Sequence, residues 1–163
     1  MRRIVIGFTL VELMVTIAVA AILLAIGVPS LTSIYESVRV NNNIEKINNI
    51  LAFARNQAIS YGATVNVCAY ASATSCGTNW GNGIRVFITD ADGADHELRA
   101  IDGFNSNDAV KGPTATLTFS SEGLSPSNGS FIYCPRGNSS GSKSVTVSSS
   151  GLITYDTDNQ GCS

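Results

Sequence analysis

Residues 8–28 form an uninterrupted apolar run, FTLVELMVTIAVAAILLAIGV, whose only charge is Glu12. No other feature limits the fold as strongly. As a helix rising 1.5 Å per residue the run is about 31 Å long, which matches a hydrocarbon core of ~30 Å, so one membrane-spanning helix is predicted. A carboxylate near the end of such a helix costs on the order of a few kcal/mol to hold in hydrocarbon, and so calls for a partner and a purpose. The run contains no basic residue. The nearest candidate is the amine that cleavage after Gly7 would create at Phe8, on the same copy or on a neighbouring one. Glu12 therefore points to assembly, with two charges meeting in low dielectric where leaving either alone is costly.

Arg2 and Arg3 precede the run as a basic region. An ordinary secretory signal has an apolar region of about 7 to 15 residues that ends at a small-x-small cleavage site. This run is longer and its glycine stands in front, so cleavage at Gly7 would leave the helix on the mature chain. The stretch Gly7-Phe8-Thr9-Leu10-Val11-Glu12 resembles the type III leader junction of type IV pilins and type II secretion pseudopilins. The resemblance implies a prepilin peptidase that cuts between Gly7 and Phe8 and methylates the new N-terminus, and an assembly role for Glu12. It also implies residence in the inner membrane, as a single-pass protein with a periplasmic head, before incorporation into a pilus at the cell surface. Pro29, with Gly27 two residues earlier, removes a helical hydrogen bond and predicts a kink; in the pilin resemblance this proline lets the helix bend during filament packing.

From Leu31 to about Ser60 the positions Ile34, Val40, Ile44, Ile47, Leu51, Ala54 and Ala58 recur mostly at steps of three and four, with polar residues between them. This is an amphipathic helix with one buried stripe, stopped near Gly62. Beyond it the composition turns to Thr, Val, Ser and Gly, with candidate strands at 64–70, 83–89, 96–101, 115–120, 130–134, 143–148 and 152–155. About seven short strands predict an antiparallel sheet or small sandwich, hence an α+β protein: a long N-terminal helix on a β-rich head. The expected segments are a leader at 1–7, a membrane and assembly half of the helix at 8–28, an amphipathic half at 29–61 and a single head at 62–163. No internal repeat is apparent.

Four cysteines, Cys68, Cys76, Cys134 and Cys162, all follow the apolar run, on the side that a basic-inside N-terminus exports. An even count there reads as two disulfides, and three connectivities are possible. Local spacing favours Cys68 with Cys76 and Cys134 with Cys162. Zinc is the rival, but there is no C-x-x-C and the single histidine, His96, is far from any cysteine.

The downstream residues AFARNQAISYG (52–62), TVNVC (64–68), WGNGIRVFITD (80–90), LRAI (98–101), LTFSSEG (117–123), FIYC (131–134) and VTVSSSG (145–151) resemble, in order, the GspH/FimT family of minor pilins and pseudopilins, with FimT and FimU among its pilus members. That resemblance implies a non-enzymatic minor pilin at or near the tip of a type IV pilus, or in its initiation complex, with other pilin subunits as partners. An H-type pseudopilin of a type II secretion system shares these features and is the alternative.

Other chemistry is weakly supported. Asp90, Asp92 and Asp95 suggest calcium, but the glycine is misplaced for an EF-hand and Ile101 stands where its final Glu belongs, so a hairpin loop is expected. His96 between Asp95 and Glu97 lacks a nucleophile motif, and neighbours on a strand point to opposite faces. Trp80, Tyr61, Tyr70, Tyr133 and Tyr155 suit a β core without any ligand. No cofactor is expected. Of the chain's ten Lys/Arg, two lie in residues 1–7, which leaves eight against twelve Asp/Glu, a balance of −4 that suits nucleic acid poorly. Some FimT-like members take part in DNA uptake and carry a Gly-Arg-x-Arg motif after the penultimate strand, but here the matching residues are Gly151, Leu152, Ile153 and Thr154, without guanidinium groups to pair with phosphate. Arg136 and Lys143 form the remaining basic candidate for DNA.

Overall fold

The computed structural model describes residues 8–162, apart from the side chains of residues 26–30. Gly7 and the leader therefore lie outside the described residues, and the expected kink at Gly27 and Pro29 falls on side chains outside them. One helix, α1, covers Leu10–Tyr61. The chain divides into two compact units between Ser37 and Val38. In the first, the large apolar side chains from Phe8 to Leu24 are exposed. Among the described residues no helix is long and apolar enough to cross a membrane; the run at 8–28 extends into the residues whose side chains are not described.

In the second unit the rest of α1 buries Val40, Ile44, Ile47, Ile50, Leu51, Ala54 and Ala58 against the strands. Two corrections apply to the expected stripe. Ile34 is exposed, because burial along the helix begins only at Val40, and Ile50 joins the core beside Leu51, so the stripe is wider than a single row. The helix ends where Gly62 takes φ +61°. There the Gly62 N–H donates to Ile59 O and the Ala63 N–H to Ala58 O, which satisfies two terminal carbonyls in a Schellman motif.

Nine strands follow among the described residues: β1 Val65–Ser72, β2 Ser75–Gly77, β3 Gly83–Thr89, β4 Asp95–Asp102, β5 Ala109–Lys111, β6 Leu117–Phe119, β7 Gly129–Cys134, β8 Lys143–Val147 and β9 Ile153–Tyr155. The seven expected strands all form. The two unforeseen ones, β2 and β5, are three residues each and owe their pairing to neighbours rather than to their own pattern. All pairing is antiparallel, in a five-stranded sheet ordered β2-β1-β3-β4 with β6 also on β1, and a four-stranded sheet ordered β5-β7-β8-β9. β2 and β6 share one edge of β1 in tandem: β6 lies opposite Val65–Val67 and β2 opposite Ala69–Ser72. Val65, Val67, Ile84, Val86, Leu117 and Phe119 of the first sheet meet Phe131, Tyr133, Val145 and Val147 of the second in one core with α1.

A short repeat, missed in the sequence, joins the layers. Ser120-Ser121-Glu122-Gly123-Leu124 and Ser148-Ser149-Ser150-Gly151-Leu152 fold into the same turn. In each, the first Ser N–H donates to the Leu carbonyl, the Gly N–H to the first Ser carbonyl, and the Leu N–H to the first Ser Oγ. Both glycines have positive φ, +76° and +72°. The turns abut: a Cβ on Gly151 would lie 1.8 Å from Gly123 O, the Ser125 N–H reaches Ser149 O at 3.0 Å, and Arg55 Nε on α1 donates to Gly123 O at 3.1 Å.

Candidate functional site

The start of α1 carries the residue on which the sequence turns. Thr9 precedes the first helical residue, and its Oγ1 accepts the Glu12 N–H at 3.2 Å. Thr9-x-x-Glu12 is thus a capping pair, in which the hydroxyl satisfies an orphan donor and the acid sits at the positive end of the helix. This spacing is legible in the sequence itself. Phe8 and Glu12 are both exposed, and among the described residues the Glu12 carboxylate has no cation opposite it. A second copy could reach both groups.

In the head, disulfides join Cys68 to Cys76 and Cys134 to Cys162. The first ties β2 to β1 and the second anchors the C-terminal tail at the end of β7. The tail is further held by the Asn159 N–H on Ser142 O, Asn159 Oδ1 on the Gly141 N–H, and the Ser142 hydroxyl on Gln160 O.

Sequence reasoning missed two charged clusters. On β3, Ile84 and Val86 enter the core, while Arg85 lies on the opposite face yet has no exposed surface. Its guanidinium lies 3.3 Å from Asp95 and 3.6 Å from Glu97, 4.2 Å from the centre of the Phe87 ring and 3.9 Å from Cys76 Sγ. The carboxylates, the ring and the disulfide together cover one cation. Asp108, whose side chain is fully buried, accepts from Arg39 Nη2 at 2.9 Å, from the Arg136 N–H at 2.9 Å and from the Tyr133 hydroxyl, which itself accepts from Asn43 Nδ2 at 2.8 Å. Burial, then the hydrogen bond to Asp108 and its charge, push the Tyr133 phenol well above its usual range. This network fastens α1 to the strand ends around β5 and β7.

The β3–β4 turn is a hairpin organised by one carboxylate. Asp90 Oδ1 accepts from the Asp92 and Ala94 N–H groups, and Oδ2 lies 2.8 Å from His96 Nε2. The His96 bond first, then the Ala94 N–H, hold the Asp90 carboxyl below the usual carboxylate range. His96 is exposed on β4 and its acid is Asp90, not either sequence neighbour. Among the described residues no group of His, Cys, Asp or Glu could hold a metal.

The basic candidates do not converge. Lys143 pairs with Asp158 at 3.5 Å, and Arg136, at φ +51°, is tied through its backbone to Asp108. Leu152 is exposed where the DNA motif would place arginine, and Thr154 pairs with Thr146 across β8 and β9. Of the aromatics, Trp80 and Tyr133 are buried, Tyr70 is half-buried, and Tyr61 and Tyr155 are exposed. Trp80 packs edge-on to Phe131 with centroids 4.9 Å apart.

Comparison with known proteins agrees with this architecture. The family model described as Type II transport protein GspH matches residues 43–151, and that of the prokaryotic N-terminal methylation motif matches residues 2–28. No curated protein sequence matches the chain. Among solved structures, the chain is similar to the type IV minor pilin FimU of Pseudomonas aeruginosa, with TM-score 0.64, 23% identity, and coverage of 76% of this chain and 95% of that one. It is also similar to the minor pseudopilin EpsH from the type II secretion system of Vibrio cholerae, with TM-score 0.56, 12% identity, and coverage of 72% and 96%. At these identities the likeness is one of fold.

Proposed function

The chain belongs to the GspH family, and from that premise we propose that it is a structural minor pilin, built into a type IV pilus in its tip or initiation complex. It enters the inner membrane by the apolar run with its head in the periplasm. Prepilin peptidase then cuts between Gly7 and Phe8 and methylates Phe8, and Glu12 meets the Phe8 amine of an adjacent subunit during assembly. What carries this reading is the start of α1: a capped first turn whose acid, Glu12, stands among exposed apolar side chains with no cation opposite it among the described residues, inside the residues that match the methylation motif. The head supports a structural role, since its charged clusters are spent on its own packing. Glu12→Ala is the direct test. The variant should insert stably in the membrane yet be absent from sheared fibres, and normal incorporation would refute the pairing.

The GspH match and the EpsH-like fold favour a second reading, an H-type pseudopilin of a type II secretion system. A deletion strain scored in parallel for surface fibres with twitching and for exoprotein secretion separates the two. Loss of secretion alone would assign the pseudopilin role.

A further inference from the structure

The edge of β1 has a one-residue break, at Cys68, between its two tandem partners. β6 covers it up to Val67, opposite Leu117, and β2 resumes at Ala69, opposite Gly77. A groove of about 470 Å³ opens beside this break. Its floor is apolar, made of the Cys68–Cys76 disulfide and Trp80, and Thr114 and Thr116 stand exposed on one wall. The strap 112–116 is drawn close over Trp80: the indole Nε1 donates to Pro113 O at 3.1 Å, and a Cβ on Gly112 would fall 2.7 Å from the indole ring. The covalent link in its floor and the glycine contact of its wall leave the groove formed before anything enters it.

One cation stands on its rim. Arg39, Arg85 and Lys143 face acids, Lys46 and Arg99 lie over the Phe104 and Phe53 rings, Arg55 holds Gly123 O, and Arg136 is engaged as well. Among the described residues Lys111 is the Lys or Arg whose side chain has no such partner, and it lines this groove. A head otherwise rich in acids thus offers an anion one cationic, preformed, partly apolar slot, in line with a broken strand edge. One cation is too few for a nucleic-acid track, and an ammonium does not bind metal.

We infer that this groove receives an extended segment of a neighbouring protein subunit, with a carboxylate side chain on Lys111 and small aliphatic side chains against Trp80 and the disulfide. Threonine hydroxyls suit a main chain laid along the groove, and the single charge fixes register. A preformed groove spares the ordering cost of docking. The inference rests on the reading of the chain as a subunit among subunits, but it uses head residues alone and does not depend on Glu12.

Trp80 is the chain's single tryptophan, so its emission reports on the groove in the full-length protein held in detergent. The probes are acetyl-Val-Glu-Val-amide and its Gln counterpart. The Glu peptide should change Trp80 emission saturably and bind at least tenfold more tightly than the Gln peptide, with the difference shrinking as salt rises. Lys111→Ala should erase the preference and Lys111→Arg should keep most of it. Equal binding of the two peptides, an undiminished preference in Lys111→Ala, or no saturable change would overturn the inference. So would sodium acetate reproducing the whole effect, since the slot would then take a bare carboxylate. Failure of Glu12→Ala to block assembly would leave these titrations unaffected.

Discussion

Arg85 shows how a charge can be held inside a head this small. Its carboxylates, Asp95 and Glu97, keep about three-tenths of their surface, whereas the guanidinium keeps none. Removing the acids strands a buried cation, at a cost of about 3 kcal/mol, whereas Arg85→Met leaves acids that turn to water and costs roughly 1 kcal/mol. Chemical denaturation should therefore rank Asp95→Ala/Glu97→Ala as clearly less stable than Arg85→Met, and the reverse order would mean that the pair is held by packing alone. Tyr133 adds a pH test. Its folded-state phenol is raised, so the folded protein keeps a proton that the unfolded chain loses near pH 10. Stability from this group is complete below that pH and is lost as pH rises beyond it. Tyr133→Phe should cost about 1 to 3 kcal/mol at neutral pH, by leaving the buried Asp108 and Asn43 short of a partner. It should also flatten the alkaline decline, which melting curves from pH 8 to 11 would reveal as a shrinking gap from the parent protein.

Elements were legible where their own residues decide them. The alternating Val, Ile and Thr of β1, β3 and β8 and the three-and-four spacing of α1 each bury a face that the pattern names. β2 and β5 were not legible, since three residues have no period and their pairing depends on the disulfide, on β1 and on β7. Arg85 reads as a solvent-facing strand residue until the hairpin and disulfide are folded over it. The Thr9-x-x-Glu12 cap is legible from its spacing alone. The glycines separate two physical reasons for the same residue. Gly62 has positive φ with nothing within 4 Å of an added Cβ, while Gly151 has positive φ and Gly123 O at 1.8 Å. Gly62→Ala should thus cost only the left-handed backbone term, about 1 to 2 kcal/mol. Gly151→Ala must also push the twin turns apart, and should lose about 3 kcal/mol or more, within the range of severe packing defects. Equal losses would show that the turns can separate freely.

At the scale of the whole molecule, the division between Ser37 and Val38 predicts that assembly and head stability can be altered one at a time. Glu12 lies in the first unit and takes no part in the core that α1 and the two sheets form beyond Val38. Glu12→Ala should leave the melting temperature of the head unchanged while abolishing incorporation into fibres. The tail disulfide should behave in the opposite way. Cys134 and Cys162 close a separation of 28 residues against 8 for Cys68 and Cys76, which in the chain-entropy account gives about 3.5 against about 2.5 kcal/mol. Cys134→Ala/Cys162→Ala should therefore lower the melting temperature more than Cys68→Ala/Cys76→Ala. It should also speed amide exchange at Asp156 and Asn159, whose N–H groups bond Ser144 O and Ser142 O. Any fall in fibre incorporation by this variant should come from loss of folded protein alone, and so should recover at low growth temperature. Glu12→Ala should not recover. If cooling restores the Glu12 variant, the charge serves the fold of the chain rather than the joining of one copy to the next.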